Sequence, residues 1–90
     1  MREIVLAAQF KRDVKLAEKR HKDMSKLRQV FYLLARGEIL PSRYRDHPLG
    51  GDWKHHRDLH VEPDWLLIYT VSGDSVFMFM VRTGTHADIF

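Results

Sequence analysis

Ninety residues, 44% of them hydrophobic and 30% charged, suffice for one domain over residues 1–90 with one core, and the balance excludes both wholesale disorder and a membrane-embedded chain. The longest apolar runs, around Trp65 to Tyr69 and Val76 to Val81, fall far short of the roughly 20 residues that span a bilayer. No signal-peptide pattern opens the chain, so a soluble, cytoplasmic protein is expected. The absence of cysteine removes disulfides, thiolate metal sites and a cysteine nucleophile, and fifteen Lys and Arg against twelve Asp and Glu leave a net charge of +3 that favours polyanionic partners.

Arg2 to Leu6 reads as a first strand. Phe10, Val14 and Ala17 then recur at helical spacing among Lys11, Arg12, Lys15, Lys19, Arg20 and Lys22, which makes an amphipathic helix with a basic face. A second helix starts at Asp23 or Ser25, either of which can cap it, carries Met24, Leu27, Phe31 and Leu34 as its apolar stripe, and ends at Gly37. The two helices are expected to pack as a hairpin. Their basic face is either a solvated helix surface or a surface for nucleic acid or an acidic partner. Pro41 through Gly51 reads as a loop, punctuated by Pro48 and the Gly50-Gly51 pair.

From Trp53 onward the pattern is that of strands. Arg57, Leu59 and Val61 alternate with His56, Asp58, His60 and Glu62, so a period of two sends the second, ionisable set outward. Pro63-Asp64 and Ser72-Gly73-Asp74-Ser75 are turn signals on either side of the apolar run from Trp65 to Val71, and a last run covers Val76 to Val81. Three strands joined by two hairpins follow. Such a meander brings the end of its first strand, the start of its second and the end of its third to one edge, which gathers His60, Asp64 and Arg82, with His86 one short turn later. A hairpin centred near Gly73 and Asp74 places Arg82 or Thr83 opposite Asp64.

Two histidines, a carboxylate and an arginine suit RNA cleavage by transesterification. A base takes the proton of the ribose 2′-hydroxyl, that oxygen attacks phosphorus, and an acid protonates the leaving 5′-oxygen. Imidazole works as acid or base near neutral pH, and a guanidinium fork matches the nonbridging phosphate oxygens. Asp64 either carries a proton or orients a neighbouring imidazolium, or only completes the turn; Arg82 meets the phosphate or forms a structural ion pair with Asp64. Trp65 belongs to the core or stacks a base. This chemistry needs no metal or other cofactor. A metal site built on His55, His56, His60 and His86 is the competing reading, weakened because adjacent His55 and His56 point to opposite sides of a strand and no HExxH pattern exists.

Asp46-His47-Pro48-Leu49, Trp53-Lys54, Arg57-Asp58, His60-Val61-Glu62-Pro63-Asp64-Trp65 and Arg82-Thr83-Gly84-Thr85-His86, in this order and spacing, resemble the YafQ branch of the RelE/ParE toxin superfamily. So do Lys15-Leu16-Ala17 and Lys19-Arg20-His21-Lys22-Asp23-Met24, and the similarity covers nearly the whole chain. The resemblance implies an α+β, microbial ribonuclease-like fold of RelE type, with two N-terminal helices on a curved antiparallel sheet. It also implies cleavage of ribosome-bound messenger RNA by the toxin of a type II toxin-antitoxin pair, held inactive in a complex with its antitoxin. It carries functional roles to His47, His60, Asp64, Trp65, Arg82, His86 and Phe90, with His86 as general acid. Lys15, Lys19, Arg20 and Lys22 are then expected to meet RNA. The alternative is a non-enzymatic inhibitor of a protein target, such as DNA gyrase, on the same fold, as in the ParE branch.

Overall fold

In the computed structural model, which describes residues 1–90, strand β1 (Glu3–Leu6) leads into helix α1 (Ala8–Lys19). Phe10, Asp13 and Ala17 recur on the buried face of that helix. Helix α2 (Met24–Arg36) starts where Asp23 accepts a hydrogen bond from the Ser25 N–H at 3.0 Å, and it ends on Gly37 in the left-handed conformation at φ 69°. A residue with a Cβ is strained there, which is why this helix stops at a glycine.

The segment from Pro41 to Gly51 is more ordered than a loop. It holds a 3-10 turn at Ser42–Tyr44 and a short strand β2 (His47–Pro48), antiparallel to strand β3 (Arg57–Glu62) with His47 opposite Asp58. Pro48 is tolerated because β2 is an edge strand. Trp53 lies in a second 3-10 turn, Gly51–Trp53, so the strand pattern takes hold only at Arg57. Strands β4 (Trp65–Val71) and β5 (Phe77–Gly84) complete the expected meander, and helix α3 (His86–Ile89) closes the chain.

The sheet order is β1-β5-β4-β3-β2, antiparallel except for the parallel pair β1–β5. The α+β class with two N-terminal helices on a sheet is thus the observed one. Phe10, Ala17, Leu27, Val30 and Leu34 from the helices meet Leu59, Val61, Trp65, Leu67, Tyr69, Met78 and Met80 in the core. Each large apolar side chain buried there contributes about 1.5–3 kcal/mol.

Leu66 and Ile68 are also fully buried, although alternation points them away from the helices. Trp53, in the connection between β2 and β3, meets Phe90 edge-on at 6.1 Å. The connection and the chain end therefore close over this second face. Asp58, opposite Ile68 in the register, is buried beneath them at 4% exposure, against its expected place among outward residues.

One irregularity decides which side chains share the second face. The β4–β5 register pairs Ile68 with Arg82 but Tyr69 with Met80, leaving Val81 as a bulge. A one-residue slip exchanges faces, so the bulge brings Arg82 to the side of Asp58 and His60 and returns Thr83 to the helix side, where its hydroxyl accepts the Trp65 indole N–H at 2.9 Å.

Candidate active site

Three imidazoles form a row across the end of the sheet. The His47 and His60 ring centres lie 6.3 Å apart, and those of His60 and His86 5.7 Å apart. His47 comes from edge strand β2, His60 from β3, and His86 from the first position of α3. Each ring has its Nδ1 on an oxygen: the Arg45 carbonyl for His47 at 2.6 Å, the Pro63 carbonyl for His60 at 3.1 Å, and the Asp64 carboxylate for His86 at 2.6 Å. These oxygens only accept, so Nδ1 carries the proton in all three rings and Nε2 is the nitrogen left for chemistry.

Asp64 sits in the turn before β4 and accepts both the His86 backbone N–H at 3.0 Å and its ring N–H. The His86 amide, followed by its imidazole, holds the Asp64 carboxyl below the usual carboxylate range. Arg82 does not oppose Asp64. The turn after β4 is longer than the expected centre implied and Val81 bulges, so Leu66 pairs with Gly84 and the residue level with Asp64 is His86.

Arg82 instead meets Asp13 of α1, with Nε to Oδ2 at 2.8 Å and Nη2 to Oδ1 at 3.3 Å. Its guanidinium reaches around the edge that β1 leaves open beyond Met80. Nη1 has no protein partner and stays available to an anion. Burial alone would raise the Asp13 pKa, but hydrogen bonds from Arg82, Gln9 and the Thr83 N–H outweigh it and hold it low. Asp13→Ala is expected to cost about 2 kcal/mol at neutral pH, since Arg82 and the Thr83 amide both lose their acceptor. A group with a depressed folded pKa stabilises above its unfolded value and loses that contribution as pH falls through the folded one. The gap between variant and wild type in urea denaturation should therefore be full above the ordinary value of 3.8 and close below it.

Asp58 is the site residue that sequence reasoning left out. Its Oδ2 lies 3.7 Å from His47 Nε2, and its Oδ1 is buried without a hydrogen-bond partner. Burial pushes its pKa up, while positive charge on His47, His60 and His86 opposes the shift. The available signal was its position two residues before His60, which places both on one face of β3.

Trp65 is 1% exposed and packed into the core, so the base-stacking role expected of it is corrected: its ring offers no face to RNA. Phe90 is exposed, and with half-buried Trp53 and His56, 5.5 Å from Trp53, it forms an aromatic edge beside the histidines. A cleft of about 460 Å³ flanks His60, lined by Arg43, Tyr44, Arg45, Glu62 and Pro63. Of the expected basic contacts, Lys15 and Lys19 are exposed, whereas Lys22 pairs with Glu62 at 3.3 Å and Arg20 with Asp88 at 2.6 Å. No three His, Asp or Glu side chains converge as a group able to hold a metal ion. His55 and His56 lie outside the row; His55 has φ 71°, and His56 contacts the Lys54 carbonyl at 3.1 Å.

A profile described as bacterial toxin of type II toxin-antitoxin system, YafQ, matches residues 2–90. The mRNA interferase toxin YafQ of Escherichia coli strain K12 is 53% identical over 90 residues, spanning 99% of this chain and 96% of that protein. The crystal structure of YafQ from E. coli strain BL21(DE3) superposes with a TM-score of 0.92 at 49% identity, over 100% of this chain and 99% of that one. The toxin chain of the E. coli DinJ-YafQ toxin-antitoxin complex gives 0.90 at 51% identity, over 99% and 97% of the respective chains. The fold is therefore that of a bacterial toxin from a type II toxin-antitoxin system. Within that class, the chain belongs to the YafQ family.

Proposed function

We propose that this toxin is a metal-independent endoribonuclease that cuts messenger RNA held on the ribosome. The observation that carries the reading is the histidine row, whose three Nδ1 atoms are tied to oxygens and whose Nε2 atoms make no hydrogen bond within the protein, His47 Nε2 lying 3.7 Å from Asp58. In the proposed reaction His60 Nε2 takes the proton of the ribose 2′-hydroxyl, and that oxygen attacks phosphorus. The bond to the 5′-oxygen breaks as His86, protonated at Nε2 and steadied by Asp64, donates its proton. The products are a 2′,3′-cyclic phosphate and a 5′-hydroxyl, and Arg82 Nη1 with His47, protonated at Nε2 as well as Nδ1, stabilises charge on the nonbridging oxygens.

Phe90 and Trp53 are assigned to base stacking, and Lys15 and Lys19 to ribosomal RNA, which makes ribosome association salt-dependent. The E. coli relative's name, mRNA interferase, supports the reading, as does the net charge of +3. A ribosomal target places the working toxin in the cytoplasm. An antitoxin, with an acidic or amphipathic segment that orders on binding, is the proposed partner in a hetero-oligomer; the E. coli protein forms a toxin-antitoxin complex with DinJ. No helix is long and apolar enough to cross a membrane.

The test maps RNA ends on a translated message with and without ribosomes. Ribosome-dependent cuts ending in cyclic phosphate and 5′-hydroxyl are expected. Intact RNA alongside gyrase-dependent DNA damage would replace the nuclease reading with inhibition of a protein target.

A further inference from the structure

His86 is carried by a helix of only four residues at the end of the chain, and a helix this short has no stability of its own. What holds it is therefore part of what aims the imidazole. Thr85 and Asp88 form a capping box: the Thr85 hydroxyl accepts the Asp88 N–H at 3.1 Å, and Asp88 Oδ2 accepts the Thr85 N–H at 2.9 Å. The same carboxylate lies tight against the preceding turn, because a Cβ on Gly84 would come within 2.9 Å of Oδ2.

Both Asp88 oxygens are also taken by Arg20, with Nη1 to Oδ2 at 2.6 Å and Nη2 to Oδ1 at 3.2 Å. Arg20 is the C-cap of α1: its backbone N–H bonds to the Leu16 carbonyl, and the next one, of His21, to the Glu18 carbonyl. The guanidinium fork thus ties the end of a packed helix to the turn that bears His86, across 68 residues of sequence. The Arg20 side chain is 42% exposed and that of Asp88 24%, against 66% for Asp64 in its open turn, and Phe90 meets Trp53 only edge-on.

We propose that Arg20 is a positioning residue for His86, acting through Asp88 to keep the imidazole in line with His60. The proposal rests on the acid–base reading above and replaces the RNA contact that the charge pattern assigns to Arg20. A bidentate clamp and an RNA-binding cation differ in one respect that can be measured. Lysine keeps the charge but not the planar fork.

The experiment compares Arg20→Lys, Arg20→Ala and Asp88→Asn, each first checked for an unchanged melting transition. Cleavage of ribosome-bound message is measured at saturating and subsaturating ribosome concentrations. A small displacement of a reacting group costs up to about 100-fold, so Arg20→Lys and Arg20→Ala should each lower kcat by about 10- to 100-fold. KM and the salt dependence of ribosome binding should stay unchanged, and Asp88→Asn, which weakens the clamp but keeps an oxygen for the Thr85 N–H, should lower kcat in the same way. Wild-type kcat in Arg20→Lys, or an effect of Arg20→Ala confined to KM and the salt slope, would overturn the proposal.

NMR of the His86 ring separates this proposal from the nuclease reading. Broadening or loss of the Nδ1–H resonance in Arg20→Ala supports the clamp even if the wild-type protein proves to cut no RNA. A sharp, unshifted resonance overturns it.

Discussion

His86→Ala lowers cleavage of a ribosome-bound message by about 100- to 10,000-fold, the usual contribution of a positioned acid or base, and leaves the protein folded. The two halves of this expectation come from different features. The imidazole is about half exposed and outside the core, and its substitution removes the 2.6 Å contact to Asp64 while leaving the backbone N–H to Asp64 and the capping box in place. Only the proton donor is lost. His86→Gln sharpens the test, because an amide can still donate to Asp64 but has no ionisable nitrogen to supply the leaving oxygen. Both variants should fail alike in single-turnover cleavage and in arresting growth, with wild-type melting curves. Undiminished cleavage by either one would move the proton donor elsewhere in the row.

The parts of the fold that depend on local rules were legible in the sequence. Apolar spacing located α1 and α2, Asp23 and Gly37 bounded the second helix, and the turns at Pro63-Asp64 and Ser72–Ser75 produced the meander that brings His60, Asp64 and His86 together. What escaped depended on distant contacts. Alternation says which face Asp58 points to, but not that residues 49–56 and the chain end cover that face, so a buried carboxylate looked like a solvated one. Nothing in the Val76–Val81 run marks Val81 as a bulge, and that residue, together with the later-centred turn after β4, moves the place opposite Asp64 from Arg82 or Thr83 to His86. Charge counting likewise cannot distinguish Lys19, which faces solvent, from Arg20, whose partner lies at the far end of the chain.

The covered face also explains why a chain with one modest core tolerates a destabilising group. Asp58 is a carboxylate at 4% exposure, with Oδ1 unpartnered and Oδ2 too far from His47, at 3.7 Å, for a strong hydrogen bond. Such a group opposes folding when charged, and the use we propose for it is electrostatic: it lies beneath rings that carry positive charge in the proposed proton transfer.

Asp58→Asn should therefore separate stability from activity. Burial raises the Asp58 pKa in the folded protein, so between the ordinary value of 3.8 and the higher folded value the native state holds a proton that the unfolded chain has released. Unfolding then releases a proton, and wild-type stability falls as pH rises through that window. Asparagine does not titrate and escapes this loss. The variant and the wild type should differ least below about pH 4 and most at neutral pH, where the variant gains on the order of 1 kcal/mol. Its cleavage rate should nevertheless fall by about 10- to 100-fold, because the histidine row loses the negative charge beneath it. Thermal melts across pH, paired with single-turnover cleavage at neutral pH, read both effects. A variant that is less stable at neutral pH would mean that the imidazoles more than compensate the buried charge. Unchanged cleavage would remove Asp58 from the site and leave it an unexplained cost of the fold.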